Sequence, residues 1–174
     1  MEVTKGFAPI LGPGARVLIL GTLPSQQSLQ KNQYYGHPQN AFWRIMGGLI
    51  GAGPDLPYLE RVNRLIDSGI AVWDVLAASV RPGSMDSAID PKTASVNDFR
   101  ALCREQPDIR MVCFNGKAAA GLFDRLVPEH TRNSFREAKF VTMPSTSPAY
   151  AAMSFADKLK IWSAISAVHE EELN

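Results

Sequence analysis

Four short apolar runs constrain this chain more than any other feature. They are Arg16-Val-Leu-Ile-Leu-Gly21, Gly69-Ile-Ala-Val-Trp-Asp-Val75, Ile109-Arg-Met-Val-Cys-Phe-Asn115 and Lys139-Phe-Val-Thr-Met-Pro144. Each is continuous rather than alternating, is rich in Val, Ile and Phe, and ends at Gly, Pro or a polar residue. Strands buried on both faces of a parallel sheet read this way, because neither face meets water. Helical patterns lie between them. Residues 39–50 carry Phe42, Trp43, Ile45, Met46 and Leu49, and residues 57–68 carry Leu59, Val62, Leu65 and Ile66 before a C-capping Gly69. Ser95, with Asp98 three residues on, starts a helix through Phe99, Leu102 and Cys103. Gly116 opens another through Ala119, Leu122, Phe123 and Leu126. The last begins at Ser154, with Asp157 three residues later, and runs through Phe155, Leu159, Trp162 and Ile165. Strands alternating with helices imply βαβ crossovers, so the expected fold is α/β: a three-layer α/β/α sandwich around a mainly parallel four-stranded sheet. Residues 76–94 have no clear period and read as a long polar loop, a length that usually accompanies a function.

Composition fits one such domain over residues 1–174. Hydrophobic residues are 45% and charged residues 20% of the 174, enough apolar material for a full core and too much for a disordered chain. No apolar run approaches the roughly 20 residues of a membrane helix, and the first residues are not a signal peptide. A membrane partner is therefore not expected. Cys103 and Cys113 are too few for a disulfide framework, which points to a reducing cytoplasm. The net charge of +1 neither advertises nor excludes a polyanion. The first third is the more basic, with Lys5, Arg16, Lys31 and Arg44 against Glu2 alone, and the tail Glu170-Glu171-Glu172 is acidic. An anionic ligand would meet that first third together with Arg132, Arg136 and Lys139.

Open parallel sheets bind ligands at the carboxyl ends of their strands. Chemistry should then be sought at Thr22-Leu-Pro-Ser25, at Asp74 and the loop after it, at Asn115-Gly116-Lys117, and at Ser145-Thr-Ser-Pro148. The densest stretch is Tyr34-Tyr-Gly-His-Pro-Gln-Asn-Ala-Phe-Trp43, whose helix has Gln39 and Asn40 in its first turn. It reads either as a loop packing its aromatics and capping a helix, or as ring faces on which a base could stack. Phe42 and Trp43 face inward as core. Asn115 is either a helix cap or a reader of a base edge, and Asp74 either accepts from a ligand or pairs with a backbone amide. Asp86 lies in the long loop, where solvation is the default. Gly116-Lys117 lacks the spacing of a phosphate loop, which speaks against nucleoside triphosphate hydrolysis. His37, His130 and His169 lack metal spacing with either cysteine, and no Gly-x-Ser-x-Gly elbow surrounds Ser25, Ser145 or Ser147.

These motifs resemble the uracil-DNA glycosylase superfamily, most closely its hypoxanthine-DNA glycosylase branch. The matching pieces are Gly21-Thr-Leu-Pro-Ser25, the Tyr34–Trp43 string, Trp73-Asp-Val75 with Gly83-Ser-Met-Asp-Ser-Ala88, Phe114-Asn-Gly-Lys117 and Pro144-Ser-Thr-Ser-Pro-Ala149. They span residues 16–150 in order. The resemblance implies a monofunctional enzyme that hydrolyses the N-glycosidic bond of a deaminated base, hypoxanthine or uracil, flipped out of DNA, without metal or cofactor; nothing in the sequence demands a dimer, so a monomer is expected. Two cysteines cannot hold the iron–sulfur cluster of other branches. Mismatch-specific relatives position water with an Asn where this chain has Leu23; in the hypoxanthine branch the catalytic asparagine is the one in the His-Pro-Gln-Asn string, which the resemblance carries onto Asn40, with Asn115 as a second functional amide. Asp74 stands where other branches keep a base-reading Asn. Gly21, Thr22, Leu23, Tyr34, Tyr35 and Asp74 are then the expected base-binding residues. Ser25, His37, Lys117, Ser145, Thr146, Ser147 and Tyr150 are the expected DNA contacts, and Tyr150 or Met153 would fill the hole left in the duplex. A catalytically silent nucleic-acid-binding module and a nucleoside hydrolase on the same scaffold are the competing readings.

Overall fold

A computed structural model describes residues 1–170, with side chains as far as Val168; Glu171 and Glu172 of the acidic tail, and the side chains of His169 and Glu170, lie outside the described residues. In chain order the strands are β1 (Val3–Lys5), β2 (Val17–Gly21), β3 (Ile70–Asp74), β4 (Leu76–Val80), β5 (Ser95–Val96), β6 (Met111–Asn115) and β7 (Lys139–Met143). The helices are α1 (Gln26–Lys31), α2 (Phe42–Ile50), α3 (Tyr58–Asp67), α4 (Phe99–Glu105), α5 (Lys117–Leu126), α6 (Glu129–Arg132), α7 (Phe155–Trp162) and α8 (Ala167–Glu170).

The four apolar runs form one parallel sheet in the order β3-β2-β6-β7. Its register aligns Val17 with Ile70 and Met111, and Met111 with Lys139, so the strands end level at Gly21, Asp74, Asn115 and Met143. Successive residues feed opposite cores. Val17, Ile19, Ile70, Val72, Met111 and Cys113 meet Phe42, Trp43, Ile45, Met46, Leu65 and Trp162 on one face. Leu18, Leu20, Ala71, Val112 and Phe114 meet Phe99, Leu102, Leu122, Phe123 and Phe135 on the other. This double covering gives the three-layer α/β/α sandwich and explains why the runs are continuous in hydrophobicity. At about 25 cal/mol per Å² of apolar surface, burying a side chain such as Leu18 or Phe42 contributes ~1.5–3 kcal/mol.

Several expectations need correction. β7 is an exposed edge rather than a doubly buried strand: Lys139, Phe140 and Thr142 are exposed, and only Met143 is buried. Residues 76–94 are not one loop. They contain β4 and a 3-10 turn at Asp86–Ala88, and β4 pairs antiparallel with β1 and β5 in a second sheet of order β1-β4-β5. Ser95 opens β5, not a helix; the cap of α4 is Asp98, whose carboxylate accepts from Ala101 N at 3.0 Å. Ser154 does cap α7, accepting from Asp157 N at 3.1 Å. Asn40 precedes α2 instead of sitting in its first turn. Two short helices, α1 and α6, lack the length to show a period in sequence.

Arg132, Arg136 and Lys139 stand away from the strand-tip crevice. Lys139 opens β7 at the edge opposite the strand tips, Arg132 pairs with Asp124 at 3.7 Å, and none of the three lines the crevice described next. No helix of the described residues is long and apolar enough to cross a membrane.

Candidate active site

The level strand tips of β2, β3 and β6, and the loop after β7, enclose a crevice of about 270 Å³. Its lining includes Gly21, Thr22, Leu23, Ser25, Tyr34, Tyr35, His37, Asn40, Asp74, Asn115, Ser145, Thr146 and Ser147. Thus all the base-binding candidates and both candidate amides converge on it, from segments up to 94 positions apart in the chain. Lys117 and Tyr150 do not line it. Lys117 is the exposed first residue of α5, and the Tyr150 carbonyl and ring are both held by the buried Lys158, at 2.7 Å to the oxygen and 5.1 Å to the ring centroid.

The loop before α2 is pinned by polar contacts that its composition predicts only loosely. Trp43 Nε1 donates to Tyr34 O (2.8 Å), Gly36 N donates to Ser28 Oγ (2.9 Å), and Lys31 Nζ donates to Gly36 O (2.7 Å). The two tyrosines then separate in role. Tyr34 is 5% exposed, packs against Phe7 and gives its hydroxyl proton to Ala8 O at 2.8 Å, so most of its ring is core. Tyr35 adopts φ 52°, a left-handed conformation rare for an aromatic residue and typical of sites where surrounding structure over-determines the backbone. Its ring stacks on Phe42 with centroids 4.0 Å apart, and its hydroxyl is buried without a hydrogen-bond partner.

Asn40 is held in place before any ligand arrives. Its Oδ1 accepts from Phe42 N at 2.9 Å, a side-chain cap at the entry to α2. Asn40 also lines the crevice. Asn115 forms a two-bond clamp with Thr146: Nδ2 donates to Oγ1 at 2.9 Å, and Oδ1 accepts from the backbone N at 2.9 Å. Thr146 O in turn accepts from Ala41 N at 2.9 Å. One buried threonine therefore ties the loop after β7 to the end of β6 and to the residue next to Asn40. Gly116, at φ 97°, lets these segments approach, since a Cβ there would lie 3.0 Å from Ser145 Cβ.

Ser25 is occupied locally: its Oγ accepts from Ser28 N at 3.1 Å and caps α1. His37 Nδ1 accepts from Gln39 N at 3.1 Å. Ser145 and Ser147 accept from the amides of Ser147 and Ala149 at 3.2 Å, which leaves their hydroxyl protons available to a ligand.

Asp74 and Arg81 dominate the electrostatics. Asp74 is 5% exposed and its Oδ2 has no hydrogen-bond partner. Burial pushes its carboxyl up to about 7; nearby Arg81 opposes that rise and Asp86 adds to it. Arg81, also buried, donates from Nη1 to Leu23 O at 3.1 Å and from Nη2 to Pro24 O. It thereby holds the turn after β2. Asp86 is not merely solvated, because Thr22 Oγ1 donates to its Oδ1 at 2.6 Å. Arg81 was invisible to motif reasoning. The signal was its position, a lone cation directly after the apolar run Leu76-Ala-Ala-Ser-Val80.

The model of the uracil DNA glycosylase superfamily matches residues 8–166, which include every segment that lines the crevice apart from Phe7. The chain belongs to that superfamily. A protein named hypoxanthine DNA glycosylase from Methanosarcina acetivorans is 42% identical over 118 residues, covering 67% of this chain and 73% of its own. A protein of the same name from Methanosarcina barkeri is 40% identical over 114 residues, 65% of this chain and 71% of its own. The solution NMR structure of a candidate uracil DNA glycosylase from Methanosarcina acetivorans superposes with a TM-score of 0.75 at 32% identity, covering 95% of this chain and 99% of that one. The superfamily fold and the crevice built on it therefore come together in this chain.

Proposed function

We propose that this protein is a monofunctional DNA glycosylase that hydrolyses the N-glycosidic bond of hypoxanthine turned out of DNA, leaving an abasic site. The observation that carries the reading is the convergence of a pre-positioned Asn40, a Tyr35 ring and a buried Asp74 on one crevice. Its volume lies just below the usual ~300–1,000 Å³ of small-molecule sites, which suits a single base better than a whole nucleotide. The names of the two archaeal relatives support the choice of base.

Chemistry follows from the geometry. Reaching the glycosidic bond requires extruding the nucleotide, at a cost of a few kcal/mol that is smallest for a mispaired base. Asn40, fixed through Phe42 N, holds a water beneath the anomeric carbon. A neutral amide is a poor base, so the rate arises mainly from positioning and from stabilising the departing base. Tyr35 lies against the base, while the 21–25 turn and Asn115 face its polar edge. Ser145, Thr146 and Ser147 flank the sugar-phosphate chain, with Lys117 and Tyr150 further out. The chain works alone as one domain.

The test incubates the protein with duplexes carrying hypoxanthine, uracil or xanthine, and with the free nucleosides. Expected are released hypoxanthine and alkali-labile abasic sites from the hypoxanthine duplex, and neither from Asn40→Ala, which should still bind DNA. Base release by Asn40→Ala at the wild-type rate would remove the water-positioning role. Cleavage of nucleosides alone would make the protein a nucleoside hydrolase, and binding without release a silent module.

A further inference from the structure

We propose that Asp74 enters the reaction as a neutral carboxylic acid and delivers its proton to a ring nitrogen of the departing purine. This rests on the glycosylase reading above and adds to it a second chemical role, separate from holding water.

Asp74, Tyr35 and Arg81 all line the crevice, and each has a buried polar atom without a hydrogen-bond partner. Asp74 Oδ2 and the Tyr35 hydroxyl are both buried and both without a hydrogen-bond partner. The other carboxylate oxygen, Asp74 Oδ1, and Tyr35 Oη both stand over Gly21, where an added Cβ would lie 2.6 Å and 3.0 Å from them. Buried polar groups are almost always paired, so orphaned atoms on residues that line one crevice point to a partner that arrives with the ligand. A carboxylate with no donor at Oδ2 carries a heavy desolvation cost, whereas a neutral acid presents one O–H that needs only an acceptor.

The titratable groups facing Asp74 act on that state in both directions. Tyr34 and Tyr35, on the loop before α2, are pushed well above the ordinary phenol range by burial and stay protonated. Arg81, directly after β4, favours the anion; its Nη1 and Nη2 are directed to the Leu23 and Pro24 carbonyls, and its buried Nε has no hydrogen-bond partner. Asp86, on the 3-10 turn, opposes ionisation, and burial outweighs the arginine to leave the carboxyl at about 7. His37 completes the titratable lining.

The step balances. The bond from C1′ to the purine nitrogen breaks and its electron pair passes to the base. The proton on Asp74 moves to a ring nitrogen, so the base departs neutral. The water oxygen bonds to C1′ and its proton goes to solvent, which also reprotonates Asp74. General acid catalysis of this kind is worth roughly 10²–10⁴-fold.

The test compares single-turnover release of hypoxanthine by wild type and Asp74→Asn from about pH 5.5 to 9. Titration of the substrate itself is common to both proteins and cancels in the ratio of their rates. The expected ratio is about 100 at low pH and falls tenfold per pH unit above about 7, because Asn donates a hydrogen bond but no proton. A ratio near one, or one flat across the range, overturns the proposal. Carboxyl NMR of wild type provides a check independent of the variant's folding: an Asp74 titrating near 7 supports the acid, and one titrating below 5 overturns it. If wild type releases no base from any duplex, the glycosylase reading fails first, and the two failures are distinguished.

Discussion

Asp74→Asn should stabilise the protein, by an amount that grows with pH. The carboxyl is 5% exposed and lifted from its ordinary 3.8 to about 7, mainly by burial. A raised acid pKa means the folded chain holds the proton more tightly than the unfolded one. Its stabilising contribution is complete below about 3.8 and is lost as pH rises through about 7. At 1.36 kcal/mol per pH unit, the separation amounts to about 4 kcal/mol. Asn has nearly the same shape and no titration. Urea denaturation of both proteins should show their stability difference moving in favour of Asn by about 3 kcal/mol between pH 5 and pH 8, then levelling off. A difference that does not change with pH would mean the carboxyl titrates as an exposed one does, and the burial argument would be wrong. Keeping so costly a group in place is the pattern of a residue retained for function at the expense of stability.

Other perturbations bear on the same crevice. Gly21→Ala should lower base release at least tenfold, because the methyl must displace the Asp74 carboxylate oxygen at 2.6 Å; a rate unchanged in a kinetic assay would show that this carboxyl does not need its position. Arg81→Met should destabilise the fold by about 3–5 kcal/mol in urea titrations, since two carbonyls lose their donor and Asp74 its nearest cation. A loss below about 1 kcal/mol would show that water replaces the guanidinium.

Parts of this architecture were legible in advance for identifiable reasons. The continuous runs at 17–21, 70–74 and 111–115 announced strands buried on both faces because hydrophobicity is a property each residue carries with it. Ser154 was readable as a cap because its partner, Asp157 N, lies three residues away. Other features depend on distant partners. β5 has two residues and exists only because β4 is beside it, so Ser95 looked like a helix start. β7 has the composition of a central strand but no neighbour beyond it, which leaves Phe140 exposed.

Residue types and order alone determined the α/β class, the strand tips as the place of chemistry, and the small set of amides, tyrosines and hydroxyls that gather there. Tertiary structure decided what each is available to do. It occupied the Tyr34 hydroxyl with Ala8 O across 26 positions and Ser25 with its own helix, joined Asn115 to Thr146 across 31 positions, set Arg81 against the turn at Leu23, and left the Asp74 Oδ2 and Tyr35 hydroxyl atoms without partners. The division has a physical cause. Hydrophobic periodicity is encoded locally, whereas hydrogen-bond pairing and desolvation depend on which groups the folded chain brings within about 3 Å of one another.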